Sequence, residues 1–478
     1  MPSAAKPLQK RYHDLDALRA FAMLLGILLH AIFVNRLLNP NSVEQASSDI
    51  FMAVLSFIHG FRMPLFFLLS GFFTLMLWKK YGSRYLITNR IKKIVLPLII
   101  FMPICTIISF SSFIVNKDIE QSLVISSNDP VLLEQFYQKN QLNSTGVAGL
   151  TSLQIAADTG STQSLNWLLA NGAEANVSNP HVWATLGGST ALDIARYRGK
   201  KELITALETH GALAVTTGEN FKAIPLNNWS LKHLWFLWFL SIIISAFILM
   251  AIICRNFSFP NLPSWLMHPL ARYFYLVPIT MIFQTQMPKQ WGPVAFNSIV
   301  IPLHLLSYYA TFFAVGALYY QWQKEHHNLG QELKFWLTEL LLAIFILFPL
   351  GMIFLFDDDI HRLSFDAITT LYCWLMVFGF MGLARRAFIK ESSTIRYVSD
   401  ATYFLYIAHM PVMYVFSNYF TNLDMSNNIK ILLNLSFTTT LLFIIYHYGV
   451  RYHALGRWLN GPRVRKNAMQ ETLAAQKN

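Results

Sequence analysis

Long apolar runs, each followed by a polar or basic segment, make up most of the chain. Most of these runs are close to the roughly 20 residues that a helix needs to cross the hydrocarbon core of a bilayer. Ten runs can be drawn, at 15–38, 51–78, 94–115, 233–254, 265–287, 298–322, 335–356, 365–384, 402–420 and 431–450. The pattern therefore predicts an all-α membrane protein with about ten transmembrane helices.

One polar stretch, Asn116–Ser230, interrupts this pattern between the third and fourth predicted spans. It contains two similar blocks, in which a threonine is followed by two glycines at matching offsets: Thr151, Gly160 and Gly172, then Thr190, Gly199 and Gly211. The blocks resemble the ankyrin repeat, a turn plus two helices, although their spacing is about six residues longer than the usual period of about 33. We place the extra residues near His181–Gly187 and a capping helix within Asp129–Asn143.

The polar stretch divides the chain into three predicted units. Residues 1–115 hold the first three transmembrane helices, 116–230 form the small ankyrin-like helical insert, and 231–478 hold the remaining helices and a basic tail. Two clear repeats and a cap are fewer than the three or so units that an isolated array needs. The insert is either a binding platform for a protein partner or a spacer without a specific partner.

Clusters of lysine and arginine follow the second, eighth and tenth predicted spans and set the predicted orientation. Cytoplasmic loops carry an excess of these two residues, whereas acidic residues say little about orientation. With ten spans, both termini lie in the cytoplasm and the insert lies in the periplasm of a bacterial inner membrane. The first apolar run is long enough to span and lacks a small-residue cleavage site, so we interpret it as a retained helix.

The composition supports a membrane protein and argues against two other classes. Hydrophobic residues make up 54% of the chain and charged residues 13%, which is typical of a multi-span membrane protein. The net charge of +12 would suit a nucleic-acid partner, but many of the basic residues flank apolar runs, so we exclude that partner. The cysteines, Cys105, Cys254 and Cys373, show neither a disulfide framework nor a metal-ligand spacing, and we expect no metal.

Two ionisable residues inside the first predicted span are the main candidates for chemistry: Arg19 near one end and His30 deeper in. Eleven steps of about 100° bring both side chains to nearly the same helix face, with an axial offset of about 16 Å. Ionisable residues at this depth are expensive and by default functional. An imidazole can take a proton from a hydroxyl or carry an acyl group. The alternative is an arginine at the membrane edge and a histidine bonded to a neighbouring helix.

The second predicted span and the segment after it add further candidates. Arg62, with His59 about one turn earlier, suits an acidic group near the predicted outer end, and interfacial snorkelling is the alternative. Arg84 and Arg90, at the predicted inner end, suit phosphate groups, although topology alone already demands basic residues there. We interpret Ser70–Gly71 as a small pair that permits close helix packing rather than as a nucleophile.

A second histidine, His409, lies within the ninth predicted span. Pro411 follows it closely and would loosen the backbone hydrogen bonds there. We interpret His409 first as a helix-packing residue and second as a residue of the reaction site.

Five blocks in order resemble the membrane-bound acyltransferase-3 family. They are Leu15–Ala20 with His30, Phe61–Phe73, Arg84–Pro97, His233–Phe239 and Tyr403–Pro411. The resemblance covers the chain except the insert. The Phe-Arg-Met-Pro run at 61–64 is similar to a branch of the family that succinylates periplasmic glucans, and the insert departs from that branch.

The resemblance implies an integral membrane O-acyltransferase that moves an acyl group from cytoplasmic acyl-CoA to hydroxyls of a periplasmic or envelope glycan. Acyl-CoA is then a co-substrate and not a bound cofactor, with succinyl-CoA the first choice and acetyl-CoA the second. The partners are the donor, the glycan acceptor and membrane lipid. In this hypothesis Arg19 holds the donor, His30 works at the thioester, and Arg62, Arg84, Arg90, His59 and His409 bind donor or acceptor.

Two functions from other classes remain open. A transporter or flippase for a lipid-linked or anionic glycan also needs polar residues in the membrane, but it favours interrupted helices in matching halves, which the sequence does not show. A receptor would use the insert as its ligand platform and the membrane body as an anchor.

Overall fold

The computed structural model describes residues 12–38, 45–114, 117–138, 140–143, 150–177, 189–214, 231–253, 262–294, 296, 299–326, 331–357, 361–421, 423 and 425–460. In these ranges the regular elements are helices and no strand occurs, which confirms the all-α prediction.

The helices follow one another in a simple order. They are α1 (His13–Leu38), α2 (Gln45–Arg90), α3 (Leu96–Ile114), α4 (Lys117–Ser126), α5 (Pro130–Tyr137), α6 (Ser152–Thr159), α7 (Thr162–Ala170), α8 (Ala191–Tyr197), α9 (Lys201–Thr209), α10 (Trp235–Ile253), α11 (Ala271–Gln284), α12 (Leu303–His326), α13 (Trp336–Leu342), α14 (Phe348–Phe356), α15 (Arg362–Ala387), α16 (Ser393–Thr421), α17 (Asn427–Ile445) and α18 (Ala454–Asn460). Short π-helical segments, Ile91–Val95 and Ala343–Leu347, join α2 to α3 and α13 to α14, and a third, Tyr446–Val450, extends α17.

Six helical segments are long and apolar enough to cross a membrane. They are His13–Asn35, Ala53–Cys105, Trp235–Ile253, Trp336–Phe356, Arg362–Ala387 and Asn427–Val450. The second of these is 53 residues long and takes in most of the second predicted span and about half of the third. All ten predicted stretches contain helix, but α11 has only 14 residues and covers about 21 Å, less than the roughly 30 Å of a hydrocarbon core. Membrane-spanning helices are thus present, while their number and orientation stay predictions.

The first helix lies at the centre of the body. α1 packs against α2, α15, α16 and α17, so polar side chains along α1 meet residues from distant parts of the chain. The body's main hydrophobic core joins residues of α1, α2, α10, α12 and α15. The functional candidates of the first span are therefore carried by a helix that has neighbours from several parts of the chain.

Two glycines bring α2 and α12 into backbone contact. A Cβ at Gly71 would collide with the Phe313 carbonyl, and a Cβ at Gly316 would collide with the Leu68 carbonyl. The reciprocal contact confirms that Gly71 permits close helix packing, while the interpretation of Ser70 stays a prediction. Close approach of this kind is how helices associate where lipid removes the hydrophobic driving force between them.

The insert contains two helix pairs with matching ends. Thr151 caps α6 together with Gln154, and Thr190 caps α8 together with Asp193, in both cases as a capping box. The glycines after the helices have positive φ in both blocks. The expected capping helix is present as α5, with Asp129 as its N-cap. The expected bulge near 181–187 lies outside the described residues, and the ankyrin assignment itself stays a prediction.

The insert has a hydrophobic core of its own, separate from that of the body. Leu153, Leu165 and Leu207 lie in this core together with Ile125 of α4. The Ser164 hydroxyl also donates a hydrogen bond to the Ile125 carbonyl, at 2.7 Å. Helix α4 is therefore part of the insert, which begins at or before Lys117.

Candidate active site

Arg19 and His30 are carried by one unbroken helix, α1, which keeps the predicted offset of about three turns between them. Arg19 is 40% exposed and pairs with Asp16 at 3.4 Å. Its guanidinium lies 5.9 Å from the centre of the Phe73 ring on α2. His30 is half-buried and packs against His409 of α16, with ring centres 5.1 Å apart. The histidine thus faces a second imidazole and not lipid.

Three cations gather at the Arg19 end of α1. Arg90, at the end of α2, and Lys93, in the π-helical segment, lie close enough to Arg19 for their charges to interact. Arg90 donates a hydrogen bond to the Thr74 hydroxyl at 2.8 Å, while its Nε is buried without a partner. Such a cluster suits phosphate groups. Arg84, by contrast, is exposed.

A groove of about 310 Å³ opens beside this cation cluster. It lies between α10 and the end of α2, and Arg90, Ser241 and Ser245 are the polar residues in its wall. The remaining lining is isoleucine, leucine and valine. The apolar walls and the single guanidinium suit a chain-like molecule with an anionic end.

Three histidines meet at the other end of the site. His409 stands between His30 and His233, with ring centres 5.1 Å and 5.0 Å away. The His409 Nδ1 lies 2.7 Å from the Tyr406 carbonyl and 3.1 Å from the Leu405 carbonyl. In the described part of the chain, neither His30 Nδ1 nor His409 Nε2 has a hydrogen-bond partner, although both are buried.

Sequence reasoning missed His233, which it noted only as part of a motif. The His233 Nε2 donates to the Ile407 carbonyl at 3.0 Å, and the Cys105 thiol approaches the same oxygen at 3.6 Å. That oxygen is available because Pro411, four residues further along α16, has no N–H to occupy it. The signal in the sequence was Pro411, two residues after His409. A proline at this position leaves the Ile407 carbonyl without its helical donor, so a side chain from elsewhere must donate to it.

Arg62 of α2 reaches the histidine cluster because α1 has a glycine opposite it. A Cβ at Gly26 would collide with the Arg62 guanidinium, so this residue lets the charge lie against α1 one turn before His30. Arg62 is only 9% exposed, and its Nε is buried without a hydrogen-bond partner. No ion pair to this guanidinium occurs among the residues that the structure describes.

His59 has a different environment from Arg62, although both lie on α2. Its Nε2 donates to the Pro293 carbonyl at 2.8 Å. Gly292 has a φ of 80° and its Cα lies so close to His59 and Gly60 that a Cβ would touch both. His59 therefore anchors the connection between α11 and α12 to α2, and its observed contact is structural.

The predicted residues fall into two groups about 16 Å apart along α1, with Arg19 and Arg90 at one end and His30, His409 and Arg62 at the other. Within the described ranges, no group of three or more histidine, cysteine or acidic side chains is placed to hold a metal ion. The arrangement can bind an extended anionic molecule at one end and exchange protons at the other.

Comparison with known proteins gives three findings. A family model, the acyltransferase domain of acyltransferase-3 proteins, matches residues 12–448. Glucans biosynthesis protein C of Escherichia coli strain K12 is 35% identical over 107 residues, 22% of this chain and 27% of that protein. The protein of the same name from Escherichia coli O1:K1 / APEC is 34% identical over 107 residues, with the same shares. The chain thus spans about a quarter of the length of these relatives. No solved structure matches.

Proposed function

We propose a function from one premise: the chain belongs to the acyltransferase-3 family, whose domain model covers residues 12–448. It is accordingly a membrane acyltransferase. The finer proposal is that it moves a succinyl group, with acetyl as second choice, from cytoplasmic acyl-CoA to hydroxyls of a periplasmic or envelope glycan. The name of its relatives, glucans biosynthesis protein C, supports a glucan as acceptor. In this proposal the chain lies in a bacterial inner membrane, with both termini cytoplasmic and the insert periplasmic.

The observation that carries the proposal is the uncompensated Arg62 guanidinium beside His30. A buried charge without a partner is strongly unfavourable, so this position calls for an anionic ligand. A succinyl thioester carries a free carboxylate at the end away from the sulfur, and a guanidinium binds a carboxylate with two parallel hydrogen bonds. An acetyl group offers no such anion. Arg62 therefore supports succinyl over acetyl.

The donor's other end fits the cation cluster of Arg19, Arg90 and Lys93. Acyl-CoA carries its phosphates at one end of a long flexible arm and its thioester at the other. The offset of about 16 Å between Arg19 and His30 is comparable with the reach of that arm. Arg90 and Lys93 also belong to the basic segment that the positive-inside pattern predicts to be cytoplasmic, on the side where acyl-CoA is made.

His30 supplies the proton transfer in this proposal. Its imidazole takes the proton of the acceptor hydroxyl while the hydroxyl oxygen attacks the thioester carbonyl. The carbon–sulfur bond breaks, and the thiolate leaves with the proton that the imidazolium returns. In the alternative route, the imidazole first takes the acyl group itself and the hydroxyl attacks the acyl-imidazole. Both routes end with an ester and a free thiol.

The test is acyl transfer by the full chain in membrane vesicles. Succinyl-CoA labelled in the acyl group is supplied on one side, and glucan on the other is analysed by mass. We expect a mass gain of one succinyl group, and a loss of about a hundredfold or more in rate for His30→Ala. His447, an exposed histidine in the π-helical segment that follows α17, provides the matched control His447→Ala, which should transfer normally. Normal transfer by folded His30→Ala would remove His30 from the reaction.

A further inference from the structure

Among the buried ring nitrogens of the cluster, two without a hydrogen-bond partner belong to the rings of His30 and His409, which pack against each other. They are the Nδ1 of His30 and the Nε2 of His409. The rings are 5.1 Å apart between centres, with planes tilted by 37°. Buried polar atoms in proteins are nearly always hydrogen-bonded, and each orphan is costly. When the two nitrogens point toward each other, a hydrogen bond of about 3 Å between them, added to the distance from each nitrogen to its ring centre, matches this separation of the ring centres.

The hydrogen bonds of His409 determine which of these atoms donates. Its Nδ1 lies 2.7 Å from the Tyr406 carbonyl and 3.1 Å from the Leu405 carbonyl, and a carbonyl oxygen only accepts. The proton of neutral His409 is therefore on Nδ1, and Nε2 carries the lone pair. A protonated ring would place a second positive charge near Arg62, which is unfavourable. His409 thus offers its neighbour an acceptor.

We propose that His409 is a positioning residue for His30: its Nε2 accepts a hydrogen bond from the His30 Nδ1–H. This holds His30 in the tautomer whose Nε2 has the lone pair, as a general base requires. In a Ser-His-Asp triad, a buried carboxylate fixes the tautomer of the histidine in the same way. In this protein the acceptor is a neutral imidazole. The role of His30 as a base rests on the proposed acyl transfer. The hydrogen bond between His30 and His409 rests only on the contacts of His409.

His409 itself is held in place from its other side. The His233 ring stands nearly perpendicular to it, at 75° and 5.0 Å between centres. His233 is tied by its Nε2 to the Ile407 carbonyl, which belongs to the same helix as His409. The three rings are therefore arranged as base, positioning residue and support, in the order His30, His409 and His233.

The proton balance of the step does not involve a change at His409. The acceptor hydroxyl gives its proton to the His30 Nε2, its oxygen bonds to the thioester carbon, and the carbon–sulfur bond breaks. The His30 Nε2–H then protonates the departing sulfur. His409 keeps its Nδ1–H throughout and stabilises the transient imidazolium by accepting from the His30 Nδ1–H.

Two amide substitutions separate this role from packing. In His409→Gln the side-chain oxygen can stand where Nε2 stood and accept from His30, whereas in His409→Asn the shorter amide reaches only the place of Nδ1. We expect His409→Gln to keep at least tenfold more kcat than His409→Asn, with the KM for acyl-CoA equal in both. His409→Asn with kcat equal to or above that of His409→Gln would overturn the proposal. His447→Asn is the control and should match the unmodified chain.

A second readout does not depend on activity. In ¹⁵N-histidine-labelled protein, the His30 signals are assigned by their loss in His30→Ala. We expect neutral His30 to carry its proton on Nδ1, and His409→Asn to shift it toward the Nε2–H form. If neutral His30 in the unmodified protein carries its proton on Nε2, the proposal is overturned, whatever activity the protein has. The expected spectra in a protein that transfers no acyl group would instead refute the proposed function and leave the positioning role standing.

Discussion

Pro411 determines which polar contacts the buried part of α16 can make. A proline inside a helix cannot donate to the carbonyl four residues before it, so the Ile407 oxygen is left for other donors. His233 takes that oxygen at 3.0 Å and thereby joins the start of α10 to the histidine cluster. A single residue without an N–H thus leaves a carbonyl to a side chain that lies 174 positions before Ile407 in the sequence.

Replacing this proline tests the recruitment. In Pro411→Ala the new N–H can bond the Ile407 carbonyl within the helix and compete with His233. We expect kcat to fall about tenfold, which is about 1.4 kcal/mol in barrier, while the thermal midpoint stays equal or rises. Pro103→Ala is the matched control, since this proline also lies inside a helix but is exposed. Unchanged kcat in Pro411→Ala would show that the freed carbonyl is not needed.

A second prediction at the residue scale concerns Arg62 and the preference for succinyl-CoA over acetyl-CoA as acyl donor. Arg62→Gln removes the charge that meets the free carboxylate of a succinyl group. We expect kcat/KM for succinyl-CoA to fall about a hundredfold, about 2.7 kcal/mol, and kcat/KM for acetyl-CoA to change far less. Arg62→Lys keeps the charge but loses the planar fork and should be intermediate. Equal losses for both donors would mean that Arg62 serves the fold and not the acyl group.

The sequence could identify the polar residues of the site but not their partners. Arg19, His30, Arg62 and His409 stand out because ionisable groups in apolar runs are rare. Their contacts depend on which helices cross, and that information is not local. His409 was interpreted first as a packing residue, because nothing near it in sequence shows that its ring meets His30 379 positions earlier.

At the scale of elements, the crossing of α2 and α12 depends on two glycines. Gly71→Ala and Gly316→Ala each drive a methyl group into a carbonyl of the other helix. We expect each to destabilise the body by about 1–3 kcal/mol, seen as a lower thermal midpoint of the detergent-solubilised protein. Gly449→Ala is the control, because its Cβ meets only a side-chain methyl at 4.0 Å. A control as unstable as the two variants would show that alanine itself, and not the crossing, is responsible.

The elements also show what periodicity and hydropathy leave out. Apolar run length located the helices of the body, but it gives no structure for the basic segment after the second predicted span. This segment is helical, with a kink at Gly82 (φ 77°) and a π-helical segment at Ile91–Val95. Two carbonyls of that segment accept from distant side chains: Lys92 from Trp458, and Lys93 from Tyr403. Contacts of this range cannot be read from local sequence.

At the scale of the molecule, the insert and the body are built on different cores. The residues assigned to the reaction come from α1, α2 and α16, and the insert core contains none of them. An enzyme with its centre in the body should therefore keep its chemistry without the insert. A receptor that uses the insert as its ligand platform should lose all response.

The boundaries of the deletion decide whether loss of the insert can be tested without disturbing the rest of the fold. A deletion that starts at Asp129 would leave Ile125 of α4 without the leucines that cover it, and the exposed apolar face should lower the yield. Removing residues 117–214 and joining the ends with a short glycine–serine linker takes out the whole core, including the bond from Ser164 to the Ile125 carbonyl. We expect this variant to transfer the acyl group within a few-fold of the full chain, measured in the same vesicles. A well-folded variant with no transfer would mean that the insert supplies part of the site, because the helices that carry His30, Arg62 and His409 remain intact.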